Sequence, residues 1–317
     1  MSQPSNTFDT YDTKGIREDL SNIIYDISPE ETPLVSAIAK VKASSTFFEW
    51  QVNSLRDAAN NAHIEGSTTS AQAIVPTTRE GNYTQIMKNS IITSGTNDVV
   101  EAAGRTNSEM SYNILREAIV QKLDIEKAIF ENIARVAGNA TTARKLGGLG
   151  AWLKTNTSFG GGSGADPTGS VGGATARTNG TQRALTQALF DDVMQKTWVS
   201  GGKPDAVYLS AFQMNKALSF SGNNNQRQTG AVGTVNNNMA IYMTPWGQVT
   251  WQPCRENRSR DLYIIEHDKL AIATLRPMKN EALAKTGDNE HRQIVSEQTL
   301  QVRSEASLGG VFDLTTS

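Results

Sequence analysis

Hydrophobic and polar positions change their period several times along this chain, and each change marks an element. From Thr46 onward Phe48, Trp50 and Val52 alternate with Glu49 and Gln51, a period of two that predicts a strand. A second strand-like run covers Tyr83 to Thr93, with Gln85, Met87 and Ile91 on one parity and Ile86, Lys88 and Ile92 on the other. Between them lie residues 53–82, rich in Ala, Asn, Ser and Thr, where an ordinary hairpin loop has about 2 to 5 residues. Loops of that length are usually functional. The pattern predicts a long two-stranded projection, which is only marginally stable in water until a partner surface buries it.

The period then shifts to three and four. Thr106 and Glu109 form a Thr-x-x-Glu capping box, and Met110, Ile114, Leu115, Ala118, Ile119, Leu123, Ile129, Phe130, Ile133 and Ala137 follow on one helical stripe. Glu109, Arg116, Glu117, Lys122 and Lys127 form the wet face, and Gly138 supplies the stop. A helix over 107–137 would be about 45 Å long, well beyond the usual three or four turns. Further on, Leu185, Leu189, Val193 and Trp198 predict a helix over 182–199, 206–209 reads as a buried strand and 212–220 as a short helix. The polar tract 221–238, with two Asn-Asn-Asn runs, reads as mobile. Short strands are expected at 240–243, 249–252, 262–266, 269–275 and 293–302.

The first forty-five residues have neither period. Pro29 and Pro33 bias their predecessors away from the helical region, so residues 7–33 read as an extended arm with a short helical turn. Such a segment cannot bury Phe8, Tyr11 and Tyr25 by itself, which places the arm across another surface.

Composition narrows the function. Across 317 residues the apolar share is 38% and the net charge −2, the balance of an ordinary folded chain and not of a dedicated nucleic-acid binder. No apolar run approaches the roughly 18 residues of a spanning helix, and the polar stretch 1–13 predicts no secretory signal. Cys254 is the only cysteine, so neither an internal disulfide nor a cysteine-rich metal site can form.

Catalytic chemistry finds little support. His63, His267 and His291 are far apart and fit no metal-binding spacing, so each reads as a surface or hydrogen-bonding histidine. The segment 148–155 ends in Lys154-Thr155 but has Leu153 where a phosphate loop needs glycine. Residues 158–180 read as a flexible surface loop. Neighbouring acids such as Asp191-Asp192 and Glu30-Glu31 point apart on a helix or strand instead of converging on one substrate. No catalytic, cofactor-binding or metal-ligating residue is assigned.

Taken together, these segments resemble the major capsid proteins of tailed bacteriophages. The matching residues are Asn6-Thr7-Phe8-Asp9-Thr10-Tyr11, Gly15, Arg17-Glu18-Asp19-Leu20, Ile27-Ser28-Pro29 and Thr32-Pro33. Glu49-Trp50-Gln51, Ser54-Leu55, Asn61-Ala62, Glu65-Gly66, Asn82-Tyr83-Thr84-Gln85-Ile86, Gly104-Arg105, Asp124-Ile125-Glu126 and Gly148-Leu149 to Trp152 continue the likeness. Asn53 stands where this group carries an aspartate, a position without a catalytic role.

The resemblance implies an α+β fold of the Hong Kong 97-like kind. Its parts would be an N-terminal arm at 1–45, an extended β-hairpin loop at 46–93, a peripheral domain at 94–181 with its spine helix at 107–137, an axial domain at 182–262, and return strands of the peripheral domain at 263–317. It also implies a homo-oligomer of pentamers and hexamers, a portal protein, packaged double-stranded DNA on the inner face, and no membrane or cofactor. Because the arm motif starts at residue 6, any scaffolding would be a separate protein; decoration proteins are further partners of this group. The implied location is the virion, with assembly in the host cytoplasm. Candidate inter-subunit contacts are Phe8, Tyr11, Arg17, Tyr25, Trp50, Glu65, Arg79 and Tyr83. Two other readings are an encapsulin-like cellular compartment and a cytosolic hydrolase using carboxylates such as Glu65 and Asp268, which no spacing supports.

Overall fold

The computed structural model describes residues 31–56, 58–68, 71, 73–100, 108–220 and 241–316. In chain order the elements are α1 (Pro33–Ala37), β1 (Ala39–Lys42), β2 (Phe47–Val52), β3 (Thr78–Tyr83), β4 (Gln85–Ser94), α2 (Gly95–Val99), α3 (Glu109–Phe130), α4 (Leu149–Trp152) and β5 (Thr157–Ser158). They continue with α5 (Gln187–Val199), β6 (Ala206–Leu209), α6 (Ala211–Leu218), β7 (Ile241–Thr244), β8 (Gly247–Pro253), β9 (Leu262–Ile265), β10 (Leu270–Ala282), β11 (Asn289–Val302) and β12 (Gly309–Val311).

Two sheets organise these elements. One has the order β1-β10-β11-β4, the other β5-β12-β9-β6-β8-β7, and β2 pairs only with β3. In the six-stranded sheet the alternation of side chains decides which core each residue joins. Tyr208, Tyr263 and Ile265 turn to one face, against Phe130, Ile129 and Leu34. Val207, Leu209, Leu262 and Ile264 turn to the other, where Phe190, Val193 and Met194 of α5 cover them. β6 and β9 are therefore buried on both faces, which explains their unbroken apolar sequences. The four-stranded sheet packs Ile91 and Ile294 toward α3, where Met110 and Ile114 meet them, while Met87 joins the core with Ile125 and Ile129. Gln121, fully buried on α3, donates from Nε2 to the Met87 carbonyl at 2.9 Å and so satisfies a sheet group beneath the helix.

Several expectations need correction. The long helix spans 109–130, not 107–137, and its N-cap is Ser108, whose hydroxyl accepts from the Ser111 N–H. It stops at Glu131, in an extended conformation, because the following backbone has other partners: Arg135 N–H donates to the Gly173 carbonyl and Val136 pairs with Lys145. Asn132, Ile133 and Val136 are weak helix formers and yield to those contacts. Ile119 is only half-buried and Leu115 is exposed, while Gln121 and Glu126 join Ile125 and Ile129 on the buried face. The strand expected from Tyr83 to Thr93 is β4, which pairs with β11 and not with β2; the return strand of the projection is β3. The segment 263–317 is also divided. β10 and β11 join the four-stranded sheet, but β12 pairs with β9 and β5 in the other.

Residues 158–180 are pinned and do not form a free surface loop. Arg177 pairs with Asp166 and lies 3.6 Å over the Phe312 ring, and Ala165 bridges Thr178. At Gly172 an added Cβ would come within 2.2 Å of the Trp152 ring, so the chain passes there only without a side chain. The tract 221–238 and the Thr106 cap lie outside the described residues.

The burial pattern separates two substitutions that the periodicity alone treats alike. Ile129 is 1% exposed beneath α3, so Ile129→Asp should abolish soluble folded protein by placing an unpaired charge in the core, at a cost of several kcal/mol. Ile119→Asp, at a half-buried rim position, should stay soluble with native helicity. Circular dichroism and thermal melting of both variants check this; equal collapse of the two would contradict the assigned buried face.

Candidate assembly surface

The projection is built from β2 and β3, which pair antiparallel from Phe47↔Tyr83 to Val52↔Thr78 and then release residues 53–77. Phe48 and Trp50 share the face turned to the body of the protein. Trp50 stacks on Trp152 with ring centroids 5.5 Å apart, and Glu80, directly opposite Trp50, accepts the Gly172 N–H at 2.8 Å. On the other face Phe47 packs on Tyr83 at 4.5 Å, the Arg135 guanidinium lies over the Phe47 ring, and Arg79 pairs with Glu49 at 2.6 Å.

Below the ribbon is a buried polar hub. Asn82 is fully buried; its Nδ2 donates to the carbonyls of Leu300 (2.9 Å) and Gly147 (3.2 Å), and its Oδ1 accepts from the N–H of Gly147 (2.8 Å) and Tyr83 (3.0 Å). A side-chain amide offers two donors and one acceptor with two lone pairs, so every valence is used. Beside it Thr84 donates to Glu297 at 2.7 Å, and that buried carboxylate also takes Arg144 and Arg276. Arg144 Nε reaches back to the Thr84 carbonyl at 2.6 Å. The chain is thus locked at residues 82–84, where it turns from the projection into β4.

Beyond the ribbon the surface changes character. Leu55 is 93% exposed, Ile64 84%, Ile74 93% and Val75 52%. The Ser67 N–H closes a turn on the Ile64 carbonyl, with Gly66 at φ +78, a left-handed conformation that a side chain would strain, and with Glu65 exposed beside it. Four branched apolar side chains held in water on an anchored stalk form a surface that no described residue of the chain buries.

The candidate contacts therefore divide. Trp50, Arg79 and Tyr83 have intrachain partners and hold the base; Glu65 lies at the tip; Phe8, Tyr11, Arg17 and Tyr25 lie outside the described residues. Leu55, Ile64, Ile74 and Val75 were missed as a group. Their signal was an apolar residue recurring in a polar stretch with no helix or strand period. Asn82, Arg144 and Glu297 carried no local signal. Glu65 and Asp268, the carboxylates of the hydrolase reading, stand on separate elements, the loop tip and the turn before β10. His267 is a hydrogen-bonding histidine, 2.7 Å from Asp205 Oδ2 and 2.8 Å from the Tyr208 hydroxyl. Among the described residues no helix is long and apolar enough to cross a membrane.

A second ionic cluster stands at the C-terminal side. Arg260 pairs with Asp313, whose carboxylate also accepts the Gly160 N–H, and Arg258 pairs with Asp261 at 2.8 Å. Burial pushes the Asp261 carboxyl up to about 6, with Arg258, Arg177 and Arg260 pulling the other way.

An anchored β-ribbon, a long helix on a four-stranded sheet and a second mixed sheet make up the fold of viral capsid subunits, the Hong Kong 97-like fold. The chain superposes on the capsid of a native GTA particle with a TM-score of 0.63, at 12% identity and over 96% of this chain and 98% of that one. A cyanophage A-1(L) capsid subunit gives 0.63 at 13% identity, over 95% and 98%. A family model described as the SU10 major capsid protein matches residues 3–315, and the chain belongs to that family. The major capsid protein of Escherichia phage Phieco32 is 33% identical over 136 residues, 43% of this chain and 38% of that relative's length.

Two consequences can be measured. Asn82→Ala leaves the buried Gly147 N–H without its acceptor and removes one donor from the Leu300 carbonyl, while the Gly147 carbonyl keeps the Trp152 indole N–H, and the change should cost about 1–3 kcal/mol in urea unfolding; a loss within the error of wild type would show that the hub does not hold the base. The raised Asp261 carboxyl means that the folded state binds its proton more tightly than the unfolded chain. Its contribution to stability is present below about 4, the ordinary aspartate value, and is lost as pH rises through about 6. Asp261→Asn should remove that slope from unfolding curves taken between pH 4 and 7, whereas parallel profiles for variant and wild type would contradict the assignment.

Proposed function

We propose that this protein is a structural subunit that self-associates, as pentamers and hexamers, into an icosahedral phage shell around double-stranded DNA. The observation that carries the reading is the anchored loop 53–77, with Leu55, Ile64 and Ile74 almost fully exposed. A chain that folds alone has no use for such a surface, while a neighbouring copy would bury it. In this reading the four-stranded sheet with α3 is the peripheral domain, the six-stranded sheet is the axial domain, and the arm expected at 1–45 is confined to the residues before α1, because α1 is bonded to Glu126 of α3 and β1 pairs with β10 in the peripheral sheet. Phe8, Tyr11, Arg17 and Tyr25 would contact neighbours from the arm and Glu65 from the loop tip, with Trp50, Arg79 and Tyr83 at the stalk's edge. Its chemistry is association: many modest contacts per copy, repeated by symmetry, sum over a closed surface. A net charge of −2 suits close packing of identical copies, which strong like charge would oppose. The portal, a separate scaffolding protein and decoration proteins are the partners this role calls for, in the host cytoplasm during assembly and in the virion afterwards.

Replacing residues 57–77 by a short Gly-Ser link tests the proposal. Because the base is held by Asn82, Trp50 and Trp152, the unassembled variant should keep near-native circular dichroism, while sedimentation velocity and negative-stain microscopy should show no closed shells, or misshapen ones. Normal shells from the deletion would overturn the assembly role of the loop.

A further inference from the structure

Segment 158–180 closes on Asn179-Gly180, the one Asn-Gly pair in the chain. Asparagine before glycine has a chemistry of its own. The backbone nitrogen of the second residue attacks the side-chain amide carbon of the first, and glycine has no side chain to block the approach. A hydrogen bond from that nitrogen, or burial of the amide, would suppress the reaction. Here both restraints are missing: the Asn179 side chain is exposed, and among the described residues nothing accepts a hydrogen bond from the Gly180 N–H. The residues on either side are bonded, Thr178 N–H to the Ala165 carbonyl at 3.0 Å and Thr181 N–H to the Gly161 carbonyl at 2.9 Å.

One contact favours the attack. Arg258 donates from Nη2 to Asn179 Oδ1 at 3.2 Å, while its Nη1 pairs with Asp261 at 2.8 Å. Asp261 is buried, so the guanidinium is held in place from behind. A cationic donor on the carbonyl oxygen draws electron density from Cγ and stabilises the oxyanion that forms when a nitrogen adds there. Asn179 Nδ2, the leaving group, has no partner among the described residues. Packing demands glycine at the second position as well. A Cβ on residue 180 would stand 2.5 Å from the Gly160 carbonyl oxygen, and the Gly180 carbonyl accepts from Arg260 Nη2 at 3.0 Å.

We infer that Asn179-Gly180 is a self-modification site, at which Arg258 promotes conversion of the asparagine to an acidic residue. The Gly180 nitrogen adds to Asn179 Cγ and gives up its proton; the Cγ–Nδ2 bond breaks and ammonia leaves, so that a cyclic imide remains. Water then opens the ring. Cleavage between Gly180 N and Cγ gives aspartate on an unchanged backbone. Cleavage between Gly180 N and the backbone carbonyl carbon of residue 179 gives isoaspartate, whose main chain is longer by one methylene.

Either product sets a new carboxylate against Arg258. The isoaspartate form also loosens 158–180, because the contact with Gly160 leaves no room for a displaced Gly180. The inference does not depend on the shell-forming role.

Ageing the purified, unassembled full-length protein at mildly alkaline pH tests it, with peptide mapping by mass spectrometry and enzymatic methylation of isoaspartate as readouts. Asn179 in the folded protein should convert at least as fast as in a synthetic peptide covering 174–184, and in heavy-oxygen water the product should carry the label. Arg258→Met, with native circular dichroism, should slow the conversion several-fold, and Arg258→Lys, which keeps a cation, should retain part of the rate. Arg258→Met also strips Asp261 of its partner, so Arg258→Met combined with Asp261→Asn separates the two effects and should be equally slow. A folded-state rate several-fold below that of the peptide would overturn the inference, because the fold would then protect the pair. A rate unchanged or raised in both Arg258→Met variants would overturn it as well.

Discussion

Asn82 is the point through which the projection is joined to the body. A loop of residues 53–77 on a two-stranded ribbon has too little burial to fix its own direction. Its direction is set instead where β3 ends, by one amide that satisfies backbone groups on three segments: the ribbon itself at Tyr83, the turn before α4 at Gly147, and β11 at Leu300. Because that amide is fully buried, losing the bond to the Gly147 N–H exposes the full desolvation cost of that donor, so the geometry is held more stiffly than the net strength of single hydrogen bonds would suggest. Glu297 with Arg144 and Thr84 continues the lock one residue further, and the Trp50–Trp152 stack closes it from the opposite face.

Rigidity at the base gives meaning to exposure at the tip. If the whole ribbon were loosely attached, ordering Leu55, Ile64 and Ile74 on a neighbour would cost much of the gain from burying them. A pre-oriented stalk lowers that cost, so modest apolar contacts suffice for association. Among the described residues, the clusters of charge around Glu297 and around Asp261 and Asp313 are internally paired and join distant stretches of chain.

Local patterns mark elements reliably where the deciding contacts are local. The strand at 206–209 is as expected, and the short helix predicted at 212–220 is found at Ala211–Leu218. The length and polarity of 53–82 announced a projection. Where partners are far apart in sequence, pattern alone misled. The period of α3 runs on through Ile133 and Ala137, but Gly173 and Lys145 compete for that backbone and end the helix at Phe130. The alternation of 83–93 correctly marks a strand but cannot say which neighbour it pairs with, and β11, some two hundred residues later, takes it. Glycines at 172 and 173 read as freedom in the sequence; in the fold they allow close approach to Trp152. The hub around Asn82 was illegible for the same reason, since its bond to Leu300 spans 218 positions.

The central claim is that a neighbouring copy covers the apolar tip of the stalk. A cryo-electron microscopy map of shells assembled from the purified protein, at side-chain resolution, measures this directly. The account predicts Leu55, Ile64 and Ile74 within about 4 Å of apolar atoms of another subunit. Loops pointing into solvent on all sides, with these three side chains still exposed in a closed shell, would contradict it.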